Sequence, residues 1–134
     1  MNLHQLETVV IHALEDIKGQ NIVIYDTTLL SSAFDRVILV DGTSNRQTRS
    51  LATHVASQAK LAGAQVIGIE GLDTGEWVLV DLGDLVVHIM QPAIRQYYNL
   101  EELWGGRVAL AQQYVTTPKF PSAKNDSSKL SLYN

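Results

Sequence analysis

The stretch Glu76-Trp77-Val78-Leu79-Val80-Asp81-Leu82-Gly83-Asp84-Leu85-Val86-Val87-His88-Ile89-Met90 leaves a folding chain few choices. Two runs rich in apolar residues flank a Leu-Gly pair, the pattern of an antiparallel hairpin with a two-residue turn. A turn at Leu82-Gly83 sets Asp81 opposite Asp84, Val80 opposite Leu85, Leu79 opposite Val86, Val78 opposite Val87 and Trp77 opposite His88. Side chains alternate along a strand, so each pair shares a face. One face then carries Val78, Val80, Leu85, Val87 and Ile89, which is aliphatic throughout and belongs in a core. The other carries Trp77, Leu79, Asp81, Asp84, Val86, His88 and Met90, half apolar and half ionisable.

That second face poses a question. Opposed carboxylates repel, at a cost of a few tenths of a kcal/mol or more. The cost makes sense if a cation normally sits between them, either a Lys or Arg of a partner or a metal ion. A plainer account is that the turn splays both carboxylates into water, since turns commonly carry Asp. Trp77 could likewise be covered by the C-terminal helix. Yet Trp, Leu, Met and Asp gathered on one sheet face also compose a docking patch, because aromatic anchors dominate interface energetics.

The rest of the chain supplies a sheet for the hairpin to join. Residues 3–18 read as a helix, with Leu3, Leu6, Val10, Ala13, Leu14 and Ile17 at helical spacing and Gly19 where a C-terminal cap belongs. Residues 21–26 and 36–40 read as strands. The second is apolar almost without a break, which implies cover on both faces. Asp41-Gly42-Thr43-Ser44-Asn45 is a sharp boundary, and Ser44 with Gln47 fits a capping box for a helix reaching about Ala62. Residues 65–70 form a further strand and 71–75 a loop. Pro92 opens a short helix to about Tyr98, and Asn99 caps a last turn over 100–104. The order α-β-β-α-β-β-β-α implies an α/β fold, a mixed five-stranded sheet flanked by helices. Residues 1–104 form the domain. Residues 105–134 read as a C-terminal extension: Arg107–Tyr114 extends a helix, and the last 20 or so residues, with Pro118 and Pro121, lack periodicity and read as mobile.

Composition narrows the function classes. The chain has 134 residues, 46% of them hydrophobic, which suits one folded domain. It has no cysteine, so disulfides and thiolate metal sites are excluded and a reducing cytoplasm is the expected compartment. The N-terminus lacks a basic region followed by an apolar run, and no apolar stretch approaches the roughly 20 residues that span a bilayer. No membrane partner is expected. His4, His12, His54 and His88 form no close ligand pair, so no metal and no cofactor are expected.

Charge is distributed unevenly. Residues 1–104 hold 13 acids against 6 bases, and 105–134 hold 1 acid against 4 bases. Glu70, Asp73, Glu76, Asp81, Asp84, Glu101 and Glu102 are offset within 70–104 by Arg95 alone. Such a surface repels phosphate backbones and attracts basic proteins, although a merely solubilising surface is the commoner reason for it. The basic tail, with Arg107, Lys119, Lys124 and Lys129, suits only a weak contact with RNA.

Three stretches together resemble one family. Gly42-Thr43-Ser44-Asn45-Arg46-Gln47, the run from Glu70 to His88, and Arg95-Gln96-Tyr97-Tyr98-Asn99-Leu100-Glu101-Glu102-Leu103-Trp104 are similar to the signatures of ribosomal silencing factors, the Iojap-like proteins. The resemblance covers about residues 3–104. It implies a factor that binds the fourteenth protein of the large ribosomal subunit, blocks joining of the small subunit and lowers translation when nutrients are short. It also implies a nucleotidyltransferase-like fold without that activity. The expected partner-binding residues are Trp77, Leu79, Asp81, Asp84, Val86, His88 and Met90 on the hairpin, with Tyr98, Glu101 and Trp104 after it. A sticky face of this kind, when unoccupied, would also suit a homodimer.

The enzyme alternative is a magnesium-dependent nucleotidyltransferase or nucleotide-binding protein of the same fold. Gly42 and Ser44 precede a helix, and that helix start could offer N–H groups to a phosphate. A capping box plus a turn explains the same residues. Metal-holding aspartates would share one strand face as Asp-x-Asp, whereas Asp84 lies across the turn from Asp81. No Lys or Arg on the hairpin meets a triphosphate, so no catalytic residue is expected.

Overall fold

The structure is a computed structural model, and it describes residues 1–102. Helix α1 (Leu3–Asp16) starts at Asn2, whose side chain accepts the Gln5 N–H while Gln5 returns the favour to the Asn2 N–H. That reciprocal box satisfies two otherwise orphaned donors. Strands β1 (Gln20–Asp26) and β2 (Arg36–Asp41) follow, then α2 (Asn45–Leu61), β3 (Gly68–Glu70), β4 (Trp77–Asp81), β5 (Leu85–Met90), α3 (Pro92–Tyr98) and a 3-10 turn (Leu100–Glu102). The order read from the sequence is the order found. The strands form one mixed sheet, β1-β2-β5-β4-β3, in which β2 and β5 run parallel and every other pair antiparallel.

Both long helices lie on one face of this sheet. Val10 and Leu14 of α1 and Leu51, Val55 and Ala59 of α2 are fully buried against Ile22, Ile24, Ile38, Val40, Val78, Val80, Val87 and Ile89. Each such Val, Leu or Ile stabilises the fold by roughly 1.5–3 kcal/mol when wholly removed from water. His54 Nε2 meets Asp16 Oδ2 at 2.9 Å and ties the two helices together at their rim. The opposite face has a smaller cluster: Tyr25, Val37, Leu39, Met90 and Leu100, with Phe34, Trp77 and Ile94 packed on it. Strand β2 is therefore buried on both faces, as its unbroken apolar run implies.

The structure corrects the hairpin register. Asp81 pairs with Val86, Val80 with Val87, Leu79 with His88, Val78 with Ile89 and Trp77 with Met90. Leu82 and Leu85 close the turn through a 2.9 Å backbone bond, so its central residues are Gly83 and Asp84. Gly83 has φ +90°, a value that glycine adopts freely and that leucine at the first turn position would resist. Moving the turn by one residue shifts each pairing by two. The strand residues keep their faces, but Asp84 leaves the Trp77 face for the turn and the Asp81–Asp84 pair does not form.

Smaller corrections follow from local hydrogen bonds. Ser44 accepts the Gln47 N–H as drawn, but the Gln47 side chain reaches past Ser44 to the Thr43 N–H at 2.6 Å. Strand β3 is half as long as expected and begins at Gly68, although the Ile67 N–H still bonds the Asp81 carbonyl. At the end of α1 the left-handed residue is Lys18, φ +67°, ahead of Gly19. The expected extension over 105–134, with its helix and basic side chains, lies outside the described residues, and so does Trp104. Among the described residues no helix is long and apolar enough to cross a membrane.

Candidate docking face

The face of the sheet turned away from α1 and α2 carries the residues singled out on the hairpin. Pairing places Glu70, Leu79 and His88 on one row, Gly68, Asp81 and Val86 on the next, and Trp77 beside Met90. Trp77, Leu79, Asp81 and His88 are half-buried, and Glu70 and Asp84 are exposed. Val86 is 8% exposed and Met90 is wholly buried in the small second cluster. Met90 thus supports the face from beneath and cannot touch a partner from where it lies.

Trp77 is held from two sides. Its indole N–H donates to His88 Nδ1 at 3.0 Å. Its ring also lies 5.0 Å from that of Tyr98, tilted by 50°, within the range of favourable aromatic pairing. Tyr98 in turn meets Tyr97 edge-on at 5.0 Å. The two tyrosines are 53% and 80% exposed, so three contiguous rings run from the sheet to open solvent. Tyr97 lies in one of the family-like stretches but is not among the expected partner-binding residues. Its adjacency to Tyr98 at the end of a short helix was the available signal. Desolvation by burial lowers His88 to a pKa of about 4, and the indole donor at Nδ1 requires that nitrogen unprotonated.

The acidic residues divide into different roles. Asp81 Oδ1 accepts the Gly83 N–H at 2.9 Å and thereby braces the turn. Asp84 sits exposed at the turn tip, and its carbonyl accepts the N–H groups of Asp35 and Arg36. Glu101 accepts from Arg95 Nε at 2.6 Å, and Arg95 Nη1 reaches Asp41 Oδ1 at 2.9 Å and the Asn21 carbonyl at 2.9 Å. Burial pushes the Glu101 carboxyl up to about 8, partly opposed by a backbone hydrogen bond; either protonation state offers Arg95 an acceptor. Glu101 is therefore engaged inside the fold. The sequence alone does not reveal that Arg95 joins Glu101 to Asp41.

The loop before β4 is stitched to the start of α2. Arg49 donates to the carbonyls of Leu72 (2.6 Å) and Asp73 (2.8 Å), Thr48 Oγ1 bonds the Gly75 carbonyl, and the Gln91 amide bonds Asn45 Oδ1. These bonds engage the Asn45, Thr48 and Arg49 side chains, and the N–H groups of Gly42 and Thr43 donate to the Met90 carbonyl and the Gln47 side chain. Among the described residues, no group of three His, Asp or Glu side chains is placed to hold a metal ion.

The family model described as ribosomal silencing factor during starvation matches residues 1–131. The ribosomal silencing factor RsfS of Chromobacterium violaceum is 50% identical over 107 residues, 80% of this chain and 88% of that protein. The RsfS of Bacillus subtilis is 38% identical over 105 residues, 78% of this chain and 89% of that one. More distantly, a mouse protein named mitochondrial assembly of ribosomal large subunit protein 1 is 33% identical over 73 residues, 52% of this chain and 32% of its own length. A crystal structure of a Chromobacterium violaceum protein superposes with a TM-score of 0.77 at 46% identity, covering 92% of this chain and 95% of that one. Fold, sequence and the matched family agree: the chain belongs to the ribosomal silencing factor family.

Proposed function

We propose that this protein represses translation by docking its open sheet face onto the large ribosomal subunit, through that subunit's fourteenth ribosomal protein, and so blocks joining of the small subunit when nutrients are limiting. The observation that carries the reading is the half-exposed Trp77 continuing into the exposed Tyr98 and Tyr97 rings, with Glu70 and Asp81 farther along the same sheet face and Asp84 at the turn tip. Large aromatic groups anchor interfaces, and a fringe of acids selects a basic protein surface over RNA. The name of the mouse relative, which refers to a large ribosomal subunit, points the same way. The site of action is the cytoplasm. This reading assigns no catalytic step, and Asp81 serves to brace the hairpin turn.

The test is co-sedimentation with purified large and small subunits across a salt series. Binding to large subunits alone is expected, weakening as salt screens the acidic fringe. Asp81→Asn preserves an acceptor for the Gly83 N–H but removes the charge. It should keep the fold and lower affinity chiefly at low salt. Equal binding to both subunits, or none to the large one, would sink the proposal.

A further inference from the structure

We infer that Arg95 is the positioning residue of this docking face, and that Glu101 and Asp41 act through it rather than on the partner. The inference rests on the reading of the Trp77 face as the docking surface. Helix α3 has seven residues and no side-chain bond at its N-cap, so it cannot hold its own orientation. Apart from the Trp77–Tyr98 ring pair, its apolar hold on the sheet comes from Ile94 in the second cluster. Arg95 supplies the rest. It is 9% exposed, and its guanidinium reaches the last residue of β2, Asp41, the backbone of β1 at Asn21, and the 3-10 turn at Glu101. Asn21 closes the ring by donating its amide to Asp41 Oδ2 at 2.8 Å.

Tyr98 stands three residues beyond Arg95, close to one helical turn on the same side of α3. Fixing Arg95 against the strand ends therefore fixes where the Tyr98 ring meets Trp77. Asn99, with φ +50°, then turns the chain so that Glu101 folds back onto Arg95. The Glu101 side chain is 16% exposed and one of its oxygens is committed to Nε, which leaves it poorly placed for a partner. Lysine cannot substitute, since an ammonium lacks the planar fork that addresses three separate oxygens.

The test separates positioning from direct contact. Trp77 and Trp104 are the two tryptophans of the chain, so Trp104→Phe makes Trp77 the sole reporter. In that background, acrylamide quenching of the free protein is measured for Glu101→Ala, Glu101→Gln and Arg95→Lys. Positioning predicts greater quenching for Glu101→Ala and Arg95→Lys, and parental quenching for Glu101→Gln, which retains an acceptor. With Trp104 intact, large-subunit binding should weaken about tenfold or more for the first two and be restored in Glu101→Gln. A direct ionic contact by Glu101 predicts instead that Ala and Gln both lose binding while quenching stays parental, and that result overturns the inference. If Arg95→Lys fails to fold, the Glu101 pair still decides. The quenching measurement involves no ribosome, so failure of the docking reading itself would show only in the parent's sedimentation.

Discussion

The indole N–H of Trp77 and Nδ1 of His88, 3.0 Å apart, form a donor–acceptor pair that exists only while that nitrogen is unprotonated. The bond assigns the ring proton to Nε2. It couples the state of a titratable residue on β5 to the largest aromatic of the candidate docking face.

A pH dependence with a defined sign follows. His88 titrates near 6.5 when unfolded and near 4 when folded, because burial disfavours its charged form. Between those values the unfolded chain binds more protons. This contribution is thus fully present above about pH 6.5 and is lost as pH falls towards 4, by up to about 1.4 kcal/mol per unit. Glu101 opposes it: its folded pKa is raised to about 8, so the stability it contributes at low pH is lost as pH rises from 4.5 to 8. Comparing the parent with His88→Gln isolates the histidine. In urea titrations from pH 7.5 to 4.5, the parent should lose ground to the variant only below about 6.5. A pH-independent difference between them would remove His88 from the account.

Two glycines make a steric contrast. Gly71 and Gly83 both have φ +90°. A Cβ on Gly83 would meet nothing within 4 Å, whereas one on Gly71 would lie 2.1 Å from the Trp77 carbonyl oxygen. Gly83→Ala therefore carries only the backbone penalty, about 1–2 kcal/mol. Gly71→Ala adds a clash with the first residue of β4 and should cost more than that by urea denaturation. Equal costs would mean that the 71–76 loop yields freely, despite the Arg49 bonds to the Leu72 and Asp73 carbonyls.

How far the sequence speaks is clearest at the hairpin. Its two faces are legible because period-two alternation survives any even shift in pairing. Val78, Val80, Leu85, Val87 and Ile89 are all fully buried, as the alternation requires. The position of the turn is not legible from the Leu-Gly pair alone, because Gly83 comes first of the two central residues and supplies the positive φ there. The Arg95 cluster was not legible at all. It joins residues 54 and 74 positions apart in the chain, and its one near contact, to Glu101, depends on the left-handed turn at Asn99. Met90 was assigned to the right face but could not be known to lie under a second core, since that depends on Tyr25, Val37 and Leu100 converging there.

The sharpest prediction contrasts Trp77 with Val80, on opposite faces of β4. Val80 is wholly buried beneath α2, and truncation to Ala should cost about 2–3 kcal/mol from lost transfer energy plus a cavity. Trp77 is half-buried, with one side on Tyr98 and the small second cluster and its N–H on His88. Truncating it forfeits that packing, about 1–2 kcal/mol, and leaves the aliphatic core intact. On a domain of this size that is a fall in Tm of several degrees and no more. The docking reading adds a second cost. A Trp anchor at an interface centre is worth 2 kcal/mol or more, so affinity for large subunits should drop by about 30-fold. Val80→Ala should bind as the parent does in whatever fraction remains folded. Thermal melting and sedimentation with large subunits measure the two costs separately. If Trp77→Ala melts lower than Val80→Ala yet binds normally, Trp77 is a structural residue of the second core. The partner would then have to be met by Tyr97 and Tyr98 alone.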